Sequence, residues 1–289
     1  MASLNKTVFD YGYRIACDLK AKALLVYAEA VADIELPADT GDKPRIILAT
    51  KTNDKVSGIN DNHQIITVPD VTLTRLGQVK IAVTKGIAMG IFHRGDKIVC
   101  LSGVPRFGYV DSIFILDVGK EFEILTSESF NDITEDIQPE VFGEILNIAL
   151  ELAAQGREGR KVGTTFVVGD HEKVLQLSRQ MIINPFQGYR EEERNILNPA
   201  LKETIKEFSA IDGAFIVRGD GVLITAGRHL SAALESKDFP QGLGSRHIAA
   251  AGITSVTKAL AVVLSESSGN VSIFKDGKIF VTIEKPIEH

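Results

Sequence analysis

Residues 210–230 read AIDGAFIVRGDGVLITAGRHL. Two apolar runs, 214–217 and 222–226, flank the turn Gly219-Asp220-Gly221. An Asp-Gly turn between apolar runs is the strongest short-range signal for a hairpin, because positive backbone angles there match the twist of paired strands. The stretch therefore predicts two antiparallel strands, the first entered through Asp212-Gly213-Ala214. Downstream, GLGSRHIAAAGITSVTKA (242–259) opens on glycines and becomes helical. ALAVVLSES (259–267) reads as a buried strand, and VSIF, KDGK and IFVTIE (271–284) as a closing hairpin.

Upstream, KVGTTFVVGD (161–170) reads as a strand, HEKVLQLSRQM (171–181) as a short helix and ALKETIKEFS (200–209) as another. NPFQGYREEERNILNP (184–199) is a polar loop with two Asn-Pro turns. Pro139 starts a long helix carrying Val141, Ile145, Ile148 and Leu152, and QGREGR (155–160) stops it. The first half alternates helix and strand. Ile15, Leu19, Ala23, Val26 and Ala30 recur at helical spacing and predict a helix over 10–32. RIILAT (45–50), HQIITVPD (63–70), DKIVCLSG (96–103) and DSIFILDVG (111–119) read as strands. TRLGQVKIAVTKGIAMGIFHRGD (74–96) reads as a helical stretch and short strands between glycine breaks. The fold class is α/β with two domains, 1–125 and 128–289, and a boundary near 122–132.

Composition narrows the function. The 289 residues carry 32 basic and 38 acidic side chains, a net charge of −6. Such a chain lacks the basic footprint of a dedicated DNA or RNA binder, so any phosphate site must be local. No apolar run approaches the roughly 18 residues of a membrane helix, and the first residues do not read as a signal peptide. The expectation is a cytoplasmic protein with no membrane partner. Cys17 and Cys100 read as reduced core residues. The six histidines are scattered, with no metal-ligand spacing.

Three pieces carry chemistry. Gly244-Ser245-Arg246-His247 enters a helix, whose first amides bind anions. Ser245 caps the helix or donates to phosphate, and Arg246 adds a forked permanent charge. A plain N-cap beside a surface arginine accounts for the same residues. Asp212 suits a metal ligand beside phosphate, or a turn aspartate. Ser265-Glu266-Ser267-Ser268-Gly269 offers hydroxyl and amide donors, or merely joins two strands.

Taken together and in order, DGAFIV, the hairpin with AGRHL, GLGSRH, the small-residue helix, VVLSES-SG and the KDGK hairpin resemble the diadenylate cyclase domain over residues 128–289. That family is marked by Asp-Gly-Ala and Arg-His-Arg motifs. The resemblance implies a mixed-sheet α/β domain that condenses two ATP into cyclic di-AMP and two pyrophosphates. It implies a divalent metal, Mn²⁺ or Mg²⁺, at Asp212, and a homo-oligomer in which two subunits face each other. Gly213 and Ala214 would admit the ribose, and Gly244, Ser245, Arg246 and His247 would hold the phosphates with Ser265 and Ser267. Leu230 would pack on adenine. Two departures stand out: Ile248 replaces the last arginine of the family motif, with Arg228 as a candidate substitute, and Ser267 replaces a second glutamate. A sensor of the same fold with weakened catalysis is the alternative reading, and a third is an effector-binding protein acting through its first domain. Residues 8–120 are similar to the C-terminal domain of pyruvate kinase, through the helix, RIILAT and the Gly-Asp-x-Ile-Val-x-x-Ser-Gly strand. There the effector loop would correspond to Thr50-Lys51-Thr52-Asn53. The pairing of both domains resembles the archaeal diadenylate cyclases.

Overall fold

The computed structural model describes residues 4–37, 41–51, 63–103, 108–120, 136–231 and 244–285. The chain divides into two compact units, one within residues 4–120 and the other within 136–285. The expected boundary at 122–132, together with Thr52, Asn53 and Gly242, lies outside the described residues.

The first unit is a five-stranded sheet of β1 (Ala23–Tyr27), β2 (Arg45–Thr50), β3 (Gln64–Thr67), β4 (Lys97–Ser102) and β5 (Ser112–Asp117), in the order β3-β2-β1-β4-β5. Pairings among the first four are parallel, and β5 closes the β4 edge antiparallel. Helices α1 (Leu4–Asp18) and α2 (Arg75–Ala88) pack against it. Two expectations are corrected here. The helix expected over 10–32 ends at Asp18, and Ala23 to Tyr27 form the central strand. Lys20 at φ 50° breaks the helix, and the run Ala23 to Val26 is buried between two parallel neighbours, an environment that suits β structure whatever the helical spacing. Residues 75–88 are one unbroken helix, with no strand between the glycines.

The second unit is a seven-stranded mixed sheet. Its strands are β6 (Thr164–Val168), β7 (Ser178–Gln180), β8 (Ala214–Val217), β9 (Leu223–Leu230), β10 (Leu260–Leu264), β11 (Val271–Lys275) and β12 (Lys278–Ile283), in the order β12-β11-β10-β6-β8-β9-β7. Only β6 and β8 pair in parallel; the other pairings are antiparallel. β7 was not foreseen as a strand: the expected helix over 171–181 stops at Gln176, and three residues pair with the β9 edge.

Residues of β6, β8 and β10 are buried throughout, so both faces of the sheet are covered. Alternation of side chains across a strand sorts them into two layers. Val167, Ala214, Ile216, Ala261, Val263 and Phe274 meet helix α6 (Ser245–Val256) through Ala250, Ala251 and Ile253. The intervening Phe166 and Phe215, register partners, stack at 4.9 Å. Helix α3 (Pro139–Gln155) contacts β10, β11 and β6. Short helices α4 (His171–Gln176) and α5 (Lys202–Phe208) complete the unit. Cys17 and Cys100 are free thiols, and burial pushes the Cys100 thiol far above its usual pKa. Among the described residues no helix is long and apolar enough to cross a membrane.

Candidate functional site

The sheet order brings the three chemistry-bearing pieces to one end of the second unit. β6 runs parallel to β8 and antiparallel to β10, so the entries of β6 and β8 lie at the same end as the exit of β10. Asp212 precedes β8, Gly163 precedes β6, and Ser265 to Asn270 follow β10. Gly213 has φ +105°, and a Cβ there would lie 2.7 Å from the Arg228 amide nitrogen and the Gly227 carbonyl carbon. The Asp-Gly-Ala entry therefore hugs β9 as only glycine permits. The Asp212 carboxylate accepts from the Gly213 N–H at 3.0 Å and is otherwise displayed, its side chain 83% exposed.

Helix α6 begins beside it. Its N-cap is Gly244, and no side chain caps it. Ser245 is thus the first helical residue rather than the cap, and it lines a cleft of about 940 Å³. The first amides of any helix lack intrahelical partners, so this end carries partial positive charge. Arg246 forks between two carboxylates, 3.6 Å from Asp212 and 3.4 Å from Glu266. Gly163 leaves room for that pair: a Cβ there would stand 2.8 Å from the Glu266 Cβ and 2.9 Å from Arg246 Nη1. His247 is only 8% exposed and sets its ring edge-on to Phe274 at 5.8 Å. Burial, then the adjacent Arg246, holds its pKa below the usual 6.5, so it is a neutral imidazole at neutral pH. Ser265 and Ser267 share a hydroxyl hydrogen bond at 3.2 Å, and the Ser268 N–H donates to Ser265 Oγ at 3.4 Å.

Gly244, Ser245, Arg246, His247, Ser265 and Ser267 all line the cleft, with Glu266, Asn270 and Thr282. Asp212, Gly213 and Ala214 are not lining residues; Asp212 is tied to the cleft by its 3.6 Å ion pair with Arg246, and Gly213 and Ala214 follow it into the sheet. Two anticipated residues lie elsewhere. The Arg228 guanidinium donates to the carbonyls of Leu175 (2.8 Å) and Ser178 (2.5 Å) and to Ser178 Oγ (2.8 Å), fastening β9 to β7. Leu230 is 8% exposed and packed with Val174 and Ile216. Neither lines the cleft. Arg160 and Lys161 do, although in the sequence Arg160 only closes the stretch that ends α3 and Lys161 only opens the next strand. The signal was two bases and a glycine just ahead of a buried strand. They become site residues only once β6 is paired with β10.

Among the described residues no cluster of three or more His, Cys, Asp or Glu side chains converges. The Asp212 carboxylate, with Glu266 turned to the same Arg246, does not fit a cation held by protein alone. It fits one shared with substrate phosphates, the usual habit of Mg²⁺.

Comparison with known proteins gives the family. Residues 151–279 match the family described as "DisA bacterial checkpoint controller nucleotide-binding". Residues 4–126 match "Probable sensor domain DacZ_P", so it is this family, rather than pyruvate kinase, that the first unit matches. A protein of Methanocaldococcus jannaschii named diadenylate cyclase is 32% identical over 298 residues, spanning 96% of this chain and 95% of the relative. Its namesake in Haloferax volcanii is 35% identical over 207 residues, 72% of this chain and 75% of that one. Similarity that runs nearly end to end at this identity is decisive: the chain belongs to the diadenylate cyclase family.

Proposed function

We propose that the protein condenses two ATP molecules into cyclic di-AMP and two pyrophosphates. Each 3′-oxygen attacks the α-phosphorus of the other nucleotide. Two P–O bonds form, two break, and each hydroxyl loses its proton as pyrophosphate departs. The observation that carries this reading is the displayed Asp212 carboxylate joined through Arg246 to the α6 mouth. One group suits the ribose hydroxyl and the other suits phosphate. In-line phosphoryl transfer asks mainly for positioning and charge neutralisation.

The geometry supports the following roles. Arg246 exchanges its carboxylate partners for phosphate oxygens, a charge-assisted contact of the same kind. The open amides at Ser245 and Arg246 and the hydroxyls of Ser245, Ser265 and Ser267 add donors. Neutral His247 packs the first turn of α6 onto Phe274 and lines the cleft. Gly213 and Ala214 keep side-chain bulk away from the ribose. Asp212 would hold a divalent ion, Mn²⁺ or Mg²⁺, that neutralises phosphate charge and acidifies the hydroxyl when bound. One cleft positions one nucleotide, so the reaction needs two copies facing each other, and the active form is a homo-oligomer. Beside the match to the sensor family, a local likeness of residues 8–120 to the pyruvate kinase C-terminal domain is supported by Gly95-Asp96 leading into β4 and Ser102-Gly103 ending it, in a sheet whose strands β1 to β4 pair in parallel.

The test is incubation of the full chain with ATP and Mn²⁺ or Mg²⁺, followed by chromatography. Two pyrophosphates per cyclic di-AMP are expected. ATP recovered unchanged, or a linear dinucleotide as the end product, would overturn the reading.

A further inference from the structure

We infer that Arg160 and Lys161 anchor the leaving pyrophosphate end of the nucleotide, supplying the positive charge that Ile248 fails to provide. The inference rests on the nucleotide cleft proposed above and adds its polarity.

The turn that carries them is built to present them. Arg157 and Arg160 exchange backbone hydrogen bonds of 2.9 and 2.8 Å around Glu158 and Gly159, both at positive φ (48° and 74°). That is the tight two-residue hairpin geometry. Arg157 is spent on structure: its guanidinium donates to Glu203 at 3.0 Å and to Glu207, tying the turn to α5. Arg160 and Lys161, by contrast, have no carboxylate partner among the described residues, and both line the cleft. Lys161 Nζ donates only to the Ser267 carbonyl, at 3.4 Å. Two unneutralised cations on a fastened turn, facing a helix N-terminus across a cleft rich in hydroxyls, form an anion site. Glu266 also lines the cleft, but its carboxylate faces Arg246.

A chain of contacts gives the direction. Asp212 meets Arg246, Arg246 meets Glu266, and the next residue, Ser267, receives Lys161. The α-phosphate and ribose belong at the Asp212 end, so the β- and γ-phosphates lie toward Lys161 and Arg160.

Calorimetry on the full chain, with ATP and AMP as separate probes, tests this. The double variant Arg160→Ala, Lys161→Ala should weaken ATP binding about thirtyfold while AMP changes less than about twofold. The exchange Arg160→Lys, Lys161→Arg should restore most of the ATP affinity. Unchanged ATP affinity in a folded double variant, or equal losses for ATP and AMP, would overturn the anchor. Should the double variant not fold, Lys161→Gln alone is measured against the same two probes. A parent chain that makes no cyclic di-AMP yet loses its triphosphate preference in the variant would sink the proposed activity and leave the anchor standing.

Discussion

Arg228 and Arg246 illustrate how far a basic residue's place in sequence is from its role. Both sit near glycines beside the candidate site. Arg228 spends its donors on the carbonyls of Leu175 and Ser178, whereas Arg246 meets only exposed carboxylates at the cleft. Replacing Arg228 by Leu should destabilise the fold by about 1–3 kcal/mol, because two carbonyls lose a charged donor. The KM for ATP should stay within about twofold of the parent; denaturant unfolding and initial rates check the two halves. His247 gives a pH dependence. Its pKa is depressed in the fold, so the unfolded chain takes up its proton first as pH falls. Stability from this residue is therefore complete above about 6.5 and declines as pH drops below it. Unfolding free energy measured at pH 7 and pH 5 should fall more in the parent than in His247→Gln. Equal slopes would contradict the assignment.

At the scale of elements, strands framed by turn residues were legible: β2, β4, β5, β6 and the hairpins β8–β9 and β11–β12 stand where the sequence put them. The failures share a physical origin in tertiary context. Ala23 to Val26 fit a helical period, yet become strand between two parallel neighbours. Gly86 looked like a break, but sits within α2 against the Phe92 ring, which a side chain would displace. β7 has three residues, too few for periodicity to register. In the site, the Asp-Gly-Ala and Gly-Ser-Arg-His pieces were legible, since their chemistry is local. Arg160 and Lys161 were not, because more than a hundred residues separate them from the Ser265 loop. Gly163 links these levels. Gly163→Ala should push Glu266 and Arg246 apart and raise the KM for ATP about tenfold, with kcat less affected. A KM equal to the parent's in a folded variant would show that the close approach has no bearing on the nucleotide.

For the whole molecule, the proposed face-to-face reaction makes a demand that a single-site enzyme does not. Specific activity should fall as the protein is diluted below its assembly constant, and sedimentation should show smaller species over the same range. A rate per subunit that is independent of concentration, down to demonstrated monomers, would contradict two-copy catalysis. On the proposed reading, Asp212 and the α6 mouth address one nucleotide. A crystal structure with 3′-deoxy-ATP, which binds but cannot attack, tests it most directly. The expected result has phosphate oxygens on Arg246 and the Ser245 and Arg246 amides, with the ribose edge against Asp212. A nucleotide seated elsewhere, or one that touches the helix mouth with its ribose turned away from Asp212, would contradict it.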